Sequence, residues 1–419
     1  MPPPLTATGA STEEDAAAAA VVAAEAVATS APGAGDPEPQ RKKGRRRKKK
    51  RRPRAPTEEE VAARRFVLRW ASPGREAANE DERDVVEVGR ARARRPRVAV
   101  ELHAHSARSD GSFSPAELVE RAHRNGVKVF ALTDHDTMAG VQEAMEAAKQ
   151  YPIRIIPGVE ISAVHSPSDE SGAEEPVHIL AYYGSWGPAR PQELERFLAG
   201  IRKGRYARAN EMLLKLRGLN MPMKLEDVCK IAGNGVAPGR LHVARAMVDA
   251  GYVENIRQAF SRYLYDGGPA YATGSEPAGE SVVQLVCRTG GVAILAHPWA
   301  LKNPGAVIKN LKAAGLHGIE VYRSDGKVSG LSDLADTYEL LKLGGSDFHG
   351  RDDKDEPDVG SVDLPVLAVF KFLEKAKPIW CNAVKETFAS ISERTTDLNG
   401  SNGFRRISSA GDLHSAPFF

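Results

Sequence analysis

The chain has 419 residues, of which 42% are hydrophobic, with 58 lysines and arginines against 55 aspartates and glutamates. This composition suits one large globular domain with appendages, and no apolar run reaches the roughly 20 residues that cross a bilayer, so we expect no membrane association. The three cysteines, Cys229, Cys287 and Cys381, are far apart and odd in number, which argues against a disulfide framework and favours a reducing compartment.

The N-terminal region is dominated by a basic block, Arg41–Arg54, which holds 12 lysines and arginines and no acidic residue. Such a block binds polyanions or acts as a nuclear import signal. We therefore predict contact with RNA or with the import machinery, and a nuclear location, with the cytoplasm as the alternative. Residues 1–95 contain few aromatic side chains, and we expect most of them to be disordered, with a helix within Glu58–Trp70.

From Val98 the pattern changes to short apolar runs that alternate with helical segments. The predicted strands are Val98–Leu102, Val127–Leu132, Ile153–Ile156, Val177–Tyr183, Val292–Ala296, Gly318–Tyr322 and the run that begins at Leu343. Ser114-Pro-Ala-Glu117 is a capping box that opens the first helix. Alternation of strands and helices predicts a mainly parallel sheet, in which functional residues follow the carboxyl ends of the strands.

The alternation is interrupted between Pro191 and about Ser275, where the pattern is mainly helical. We therefore predict a domain over 96–390 with an inserted helical subdomain at about 190–280. Residues 370–376 and 383–390 are expected to form late helices. A Ser/Gly/Asn-rich tail, 391–419, is expected to be disordered.

Side chains that bind metal ions lie at or near an end of nearly every predicted strand. His103 and His105 leave the first strand on the same side, because side chains two positions apart on a strand point the same way. The complete candidate set is His103, His105, Asp110, His135, Glu160, His178, His297, Asp347 and His349. Imidazoles and carboxylates without thiolates suit Mn, Fe or Zn. Nine ligands exceed the needs of one ion, so we predict two or three divalent ions that clamp a phosphate for in-line attack.

The order and type of these residues resemble a known family. The motifs are His103-Ala-His105, Ser109-Asp-Gly111, Thr133-Asp-His-Asp136, Pro157-Gly-Val-Glu-Ile-Ser162, His178-Ile-Leu-Ala-Tyr182, Ala296-His-Pro298 and Gly345-Ser-Asp-Phe-His349. Over about Val98–Phe388 they resemble the PHP (polymerase and histidinol phosphatase) domain. The resemblance implies an α/β fold, namely a distorted seven-stranded (β/α) barrel that carries a trinuclear metal centre.

The resemblance also implies how the ligands are shared. One ion would be held by His103, His105, Glu160 and Asp347. Glu160 would bridge to a second ion, completed by His178 and His297. Asp110, His135 and His349 would hold the third. His103, His105, Glu160, Asp347 and His349 would form the catalytic centre, with Mn²⁺ as the expected ion and Zn²⁺, Fe²⁺ or Mg²⁺ as alternatives.

The helical insertion narrows the resemblance to one branch of the family. Ile201–Arg208, Gly239–Arg245 and Pro269–Tyr271 resemble the branch that cleaves 3′,5′-nucleoside bisphosphates such as pAp, and short RNA from the 5′ end. Leu241, where that branch has proline, and Val321–Gly326 depart from its pattern. The resemblance implies a phosphatase or 5′-3′ exoribonuclease that uses a metal-bound hydroxide as the nucleophile.

Four basic residues of the insertion are candidates for binding the substrate. Arg202 and Arg205 share one face of a helix, and Arg240 and His242 follow Gly239 at a predicted helix start. A guanidinium suits bidentate capture of phosphate, and a helix N-terminus is a ready anion site. We predict that these residues hold a second phosphate; the alternative is that the arginines only solvate a helix surface.

Two other functions remain open at this point. The same chemistry could act on another phosphomonoester such as histidinol phosphate, although the arginine-rich insertion argues against it. The chain could instead be a non-enzymatic protein that binds nucleic acid through Arg41–Arg54.

Overall fold

The structure is a computed structural model that describes residues 56–72, 98–166, 174–233, 235–265, 267–326, 330–350 and 356–398. The basic block Arg41–Arg54 and most of the two predicted tails lie outside these residues. Within the described ranges, no helix combines the length and the hydrophobicity that a membrane span requires.

Helices and strands alternate along most of the chain. In order, they are α1 (Glu58–Ala71), β1 (Val100–Glu101), α2 (Pro115–Arg124), β2 (Val129–Leu132), α3 (Val141–Ala148), β3 (Arg154–His165), β4 (Glu175–Tyr182), α4 (Pro191–Gly218), α5 (Leu225–Ala232), α6 (Arg240–Asp249), α7 (Ile256–Ala259), α8 (Gly279–Arg288), β5 (Val292–Leu295), α9 (Pro304–Ala314), β6 (Gly318–Glu320), α10 (Leu331–Thr337), β7 (Leu341–Leu343) and α11 (Val366–Leu398). A π-helix, Phe260–Leu264, continues α7, and a short 3₁₀-helix, Pro298–Ala300, follows β5.

The seven strands form one curled sheet in the order β1 to β7. β1, β2 and β3 are parallel, as are β5, β6 and β7, whereas β4 is antiparallel to both of its neighbours. A parallel bridge between Ala104 and Phe348 joins the segments that follow β1 and β7. The predicted distorted seven-stranded α/β barrel is thereby confirmed, and its parallel pairings bring the carboxyl ends of six strands to one edge.

Strand β3 is longer than predicted. It continues through Glu160 to His165 because its second half pairs with β4 in an antiparallel ladder, in which Glu160 lies opposite Leu180 and Ser162 lies opposite His178. Glu160 is therefore held inside a strand, whereas the sequence placed it beyond the end of the predicted strand Ile153–Ile156. Because β4 runs in the opposite direction, His178 near its start lies at the same edge as the carboxyl ends of the parallel strands.

Helix α1 forms where the sequence predicts a helix, within a region otherwise expected to be disordered, and it belongs to the core. Thr57 and Glu60 form a capping box, and Val67 is fully buried. The ring of Trp70 stacks on that of Trp380 in α11, with 6.4 Å between the ring centroids. The two predicted late helices are instead one continuous helix, α11. This helix packs with α1 at the end of the barrel away from the carboxyl ends of the parallel strands.

The helical insertion is present between β4 and α8 and has its own hydrophobic core. Helix α4 joins this core to the barrel. Its first half buries Leu194 and Leu198 against the outer face of the sheet, and its second half buries Met212 and Leu216 inside the insertion. A single rigid helix therefore connects the sheet to the insertion.

Candidate metal centre

All nine predicted ligands converge at the edge of the sheet where the parallel strands end. They are His103 and His105 after β1 with Asp110 on the following turn, His135 after β2, Glu160 in β3, His178 in β4, His297 after β5, and Asp347 and His349 after β7. The prediction that these residues share one site agrees with their positions in the fold, because the parallel topology brings strand ends together from distant parts of the sequence.

Glu160 is the centre of this cluster. Its side chain is 1% exposed, and five imidazoles lie around its two oxygens. Oε2 lies 3.3, 3.2 and 3.1 Å from nitrogens of His103, His105 and His135, and Oε1 lies 3.1 Å from nitrogens of both His178 and His297. One carboxylate thus contacts five imidazoles that come from four strands, β1, β2, β4 and β5, as a ligand that bridges two ions would.

The remaining carboxylates define two further groups. Asp347 Oδ1 lies 3.3 Å from His103 Nε2 and 3.2 Å from His105 Nε2. Asp110 Oδ1 lies 3.3 Å from His349 Nε2, and Asp110 Oδ2 lies 4.0 Å from His135 Nε2. The ligand atoms within each group lie within 4.8 Å of one another.

These groups overlap with the three predicted ligand sets but are not identical to them: His105 also joins Asp110 and His349, and His135 joins Glu160 and His178 in a group without His297. His103, His105, Glu160 and Asp347 form a group as predicted. His135, assigned to the third ion on the basis of the resemblance, contacts Glu160 more closely than it contacts Asp110. Its imidazole therefore lies between the second and third sets.

The donor atoms fit a metal ion better than they fit one another. Within the described residues, His103 Nε2, His105 Nε2, His135 Nδ1 and Glu160 Oε2 are buried and make no hydrogen bond of acceptable geometry. A buried polar atom without a partner is costly, so such a cluster calls for a ligand. Neutral imidazole and carboxylate donors are those that Mn²⁺, Fe²⁺ and Zn²⁺ accept.

The electrostatics of the site couple these groups tightly. Burial disfavours the Glu160 carboxylate, but the positive charge of His103 and its neighbours outweighs burial and holds the pKa of Glu160 well below 4.5. Burial likewise opposes protonation of His105, but the nearby carboxylates of Asp347 and Glu160 raise its pKa to about 10. For His135, burial dominates and keeps its pKa well below 6.5. A metal ion must therefore displace protons from part of the cluster.

Two buried glutamates support the ligands, and the sequence analysis missed both. Glu320, at the end of β6, lies 3.2 Å from His103 Nδ1 and accepts a 2.8 Å hydrogen bond from the backbone N–H of His297. Glu101 accepts the backbone N–H groups of His103 and Ser346 at 3.0 and 2.9 Å. The available signal was a single acidic residue inside each of two short apolar strands.

Close packing against His103 also explains why residue 345 is a glycine. Gly345 lies so near to the backbone and Cβ of His103 that a side chain there would collide with them. On the other side of the site, His349 Nδ1 donates to the carbonyl of Asp347 at 2.8 Å, which leaves its Nε2 facing Asp110.

Replacing Glu320 with glutamine is expected to weaken metal binding by about 10- to 100-fold, the usual effect of losing a partner of a metal-binding histidine. The amide of glutamine can still accept the His297 N–H through its oxygen, but its NH₂ group cannot accept a proton from His103 Nδ1. His103 would then favour the tautomer that carries the proton on Nε2, the nitrogen needed for the ion. Titration with Mn²⁺ after chelation measures the effect, with the exposed Glu211→Gln in α4 as control; unchanged affinity in Glu320→Gln would contradict this role.

A cavity of about 750 Å³ separates the cluster from the helical insertion. Asp110, His135 and His178 line this cavity. The four predicted substrate-binding residues, Arg202, Arg205, Arg240 and His242, line it as well. The cavity therefore brings these basic residues near three of the candidate metal ligands.

The four basic residues also make contacts within the protein. The backbone carbonyl of Asp136 accepts a hydrogen bond from Arg202, its side chain accepts one from Arg205, and Arg240 donates to the carbonyl of Leu264. His242 Nδ1 accepts the Gly239 N–H at 3.0 Å, so in the neutral imidazole the proton is on Nε2.

Comparisons with known proteins agree with the fold and the site. The PHP domain model matches residues 101–217. The chain is 32% identical over 289 residues to a 3′,5′-nucleoside bisphosphate phosphatase from Chromobacterium violaceum, which covers 67% of this chain and 95% of the relative. It is 34% identical over 256 residues to a 5′-3′ exoribonuclease from Haemophilus influenzae, covering 59% and 89% of the two chains.

Among solved structures, a chain from Bifidobacterium adolescentis that is assigned as a metal-dependent phosphoesterase superposes with a TM-score of 0.56 at 29% sequence identity. The match covers 66% of this chain and 96% of that one. Because the similarity extends over nearly the whole length of these relatives and includes the barrel that carries the cluster, the chain belongs to the PHP domain family.

Proposed function

We propose that this chain is a metal-dependent phosphoesterase that hydrolyses 3′,5′-nucleoside bisphosphates and short 5′-phosphorylated RNA. The observation that carries the proposal is the cavity, which is lined both by candidate metal ligands and by arginines. A substrate with two phosphates needs exactly these two kinds of site at once. The relatives named as a bisphosphate phosphatase and an exoribonuclease support this substrate class.

The nine clustered residues would hold two or three divalent ions, with Mn²⁺ as the first candidate. When bound, such ions supply an activated water at neutral pH and neutralise charge on the phosphoryl oxygens. Glu160 would hold neighbouring ions close together, because both of its oxygens face imidazoles. Glu320 and the carbonyl of Asp347 would fix the tautomers of His103 and His349.

The insertion would bind the rest of the substrate. Arg240 is 3% exposed, and its guanidinium lies 5.2 Å from the centroid of the Tyr271 ring, which orients it at the cavity wall. The Nε2–H of His242 can donate to a phosphate oxygen. Tyr265, half exposed at the same wall, offers an aromatic face to a nucleobase.

The direct test uses the purified full chain loaded with Mn²⁺. We expect phosphate release from pAp and 5′-nucleotide release from a short 5′-phosphorylated RNA, both abolished by EDTA and by Asp347→Asn. Absence of both products from the loaded enzyme would reject the proposal. Faster turnover of histidinol phosphate than of pAp would favour the alternative substrate class.

The role of Arg41–Arg54 stays a prediction, because this block lies outside the described residues. We propose that it contacts RNA or directs nuclear import. Deleting it from a fluorescent fusion should shift the protein towards the cytoplasm; an unchanged distribution together with unchanged RNA affinity would contradict both roles.

A further inference from the structure

The loop that carries His135 has an unusual backbone. Asp136, the next residue, is fully buried and has a φ of 54°, in the left-handed region that residues other than glycine rarely adopt. Its N–H donates to the carbonyl of Glu160 at 2.8 Å, and the N–H of Glu160 donates to the carbonyl of Asp134 at 3.2 Å. These two bonds flank His135 and set its distance from the strand that carries Glu160.

Such a backbone conformation is unfavourable by itself, and it persists only when surrounding contacts impose it. The contacts to the Asp136 side chain come partly from β3. Ser162 donates its backbone N–H to Oδ1 at 2.7 Å and its hydroxyl to Oδ2 at 3.0 Å.

The remaining contacts come from the insertion helix α4. Arg205 Nε donates to Asp136 Oδ2 at 2.7 Å, and Arg205 Nη2 donates to the Ser162 hydroxyl oxygen at 2.6 Å. Arg202 Nη1 donates to the Asp136 carbonyl at 2.8 Å. Two arginines one turn apart thus hold both the side chain and the backbone of the residue that follows His135.

The charge balance makes this contact strong. The Asp136 carboxylate is inaccessible to solvent, and only 14% of the Arg205 side chain is exposed. Removing one partner of a buried ion pair leaves an uncompensated charge, which is strongly unfavourable. The Asp136 loop therefore depends on Arg205 for its conformation.

We propose that Arg205 is a positioning residue, which with Arg202 holds Asp136 so that His135 stays between Asp110 and Glu160, rather than a residue that captures the second phosphate. The inference rests on the proposed function, because a role in positioning His135 requires that the cluster binds metal ions. It also links the substrate-binding insertion to the metal centre, because α4 packs in the insertion and its arginines bind the residue that follows His135. Arg208, one turn further along α4 at the same cavity, instead pairs with Glu276 at 2.8 Å.

The test compares Arg205→Lys with the matched Arg208→Lys in the full chain. A lysine has one donor centre and cannot form the fork to Asp136 and Ser162. We expect Arg205→Lys to lower Mn²⁺ affinity at one site by about 10- to 100-fold and to lower kcat more than it changes KM, whereas Arg208→Lys keeps the wild-type Mn²⁺ stoichiometry. Cobalt-substituted protein gives an independent readout, since its visible absorption should change only in Arg205→Lys.

Asp136→Asn provides a second route if Arg205→Lys folds poorly. It keeps the shape of the side chain and removes the charge that Arg205 balances, so the same loss of Mn²⁺ affinity is expected. The double variant should lose little more than either single variant, because both changes break one interaction. Wild-type Mn²⁺ affinity in Arg205→Lys or in Asp136→Asn, with a raised KM for pAp, would overturn the inference and leave the proposed function intact. Wild-type protein that binds no Mn²⁺ would overturn both.

Discussion

Replacing Glu160 with glutamine is expected to lower kcat/KM by about 10³-fold or more, because metal ions contribute several kcal/mol to catalysis and each 1.36 kcal/mol is tenfold in rate. The glutamate is the only carboxylate among the described ligands whose two oxygens both lie within 3.3 Å of imidazole nitrogens. Glutamine has nearly the same shape, but it carries no charge and has one acceptor oxygen instead of two. The bridging position would therefore be lost while the packing of β3 against β4 is kept.

The loss should be visible in metal content before activity is measured. Glu160→Gln is expected to retain fewer Mn²⁺ ions per chain than wild type after dialysis, by elemental analysis. Glu175→Gln is a suitable control, because Glu175 is also a buried glutamate of the same hairpin and accepts the backbone N–H of Lys302 rather than facing the cluster. Full metal content with near wild-type kcat/KM in Glu160→Gln would show that Glu160 is not a ligand.

The convergence of the ligands was predictable because it follows from local patterns and one rule of topology. His103 and His105 are two positions apart directly after an apolar run, and residues such as His135 also follow apolar runs closely. In a parallel sheet such residues meet at one edge whatever their distance along the chain. The seven-stranded barrel was predictable for the same reason, since alternating strands and helices allow few arrangements.

The supporting residues were not predictable in this way. Glu320 contacts His103 across 217 positions in sequence, and a lone acidic residue in a three-residue strand forms no pattern. Helix α1 was recognisable as a helix, but its place in the core depends on Trp380 in α11, more than 300 residues away. Local composition could not reveal that partner.

Arg205 illustrates the limit most clearly. The three-residue spacing from Arg202 predicts that both point the same way, and they do, towards the cavity. What the spacing could not show is that Asp136 lies within reach at that wall, 69 positions away from Arg205 in sequence. The same helix face can bind a phosphate or a carboxylate, and only the tertiary structure distinguishes the two.

The second prediction with a large expected effect concerns how the stability of the folded protein changes with pH. The metal-free protein is expected to lose stability as the pH rises from about 6.5 towards 10. In the folded protein, burial lowers the pKa of His105. The carboxylates of Asp347 and Glu160 outweigh burial and raise this pKa from 6.5 to about 10. A raised pKa stabilises the folded state fully below the unfolded value, and this contribution disappears as the pH rises through the folded value.

The other histidines of the cluster either strengthen this dependence of stability on pH or leave it unchanged. Burial opposes protonation of His103, but Glu160 and Glu320 raise its pKa well above 6.5, so it acts in the same direction as His105. His135 stays neutral across the window because its pKa is well below 6.5. At 1.36 kcal/mol for each pKa unit, His105 alone corresponds to a loss on the order of 5 kcal/mol across the whole range.

Bound metal should reverse this trend, because ions hold the imidazoles neutral in the folded state and bind more tightly as fewer protons compete. The difference in Tm between Mn²⁺-loaded and EDTA-treated protein is therefore expected to widen between pH 6.5 and 8.5, by about 5 °C, from the usual relation between free energy and Tm. Calorimetry at both pH values measures it. In Glu160→Gln the metal-free slope should be shallower, since the carboxylate that raises the pKa values of His103 and His105 is gone. Equal Tm differences at the two pH values would mean that the imidazoles are already neutral without metal, and that the carboxylates of the cluster do not hold protons on them.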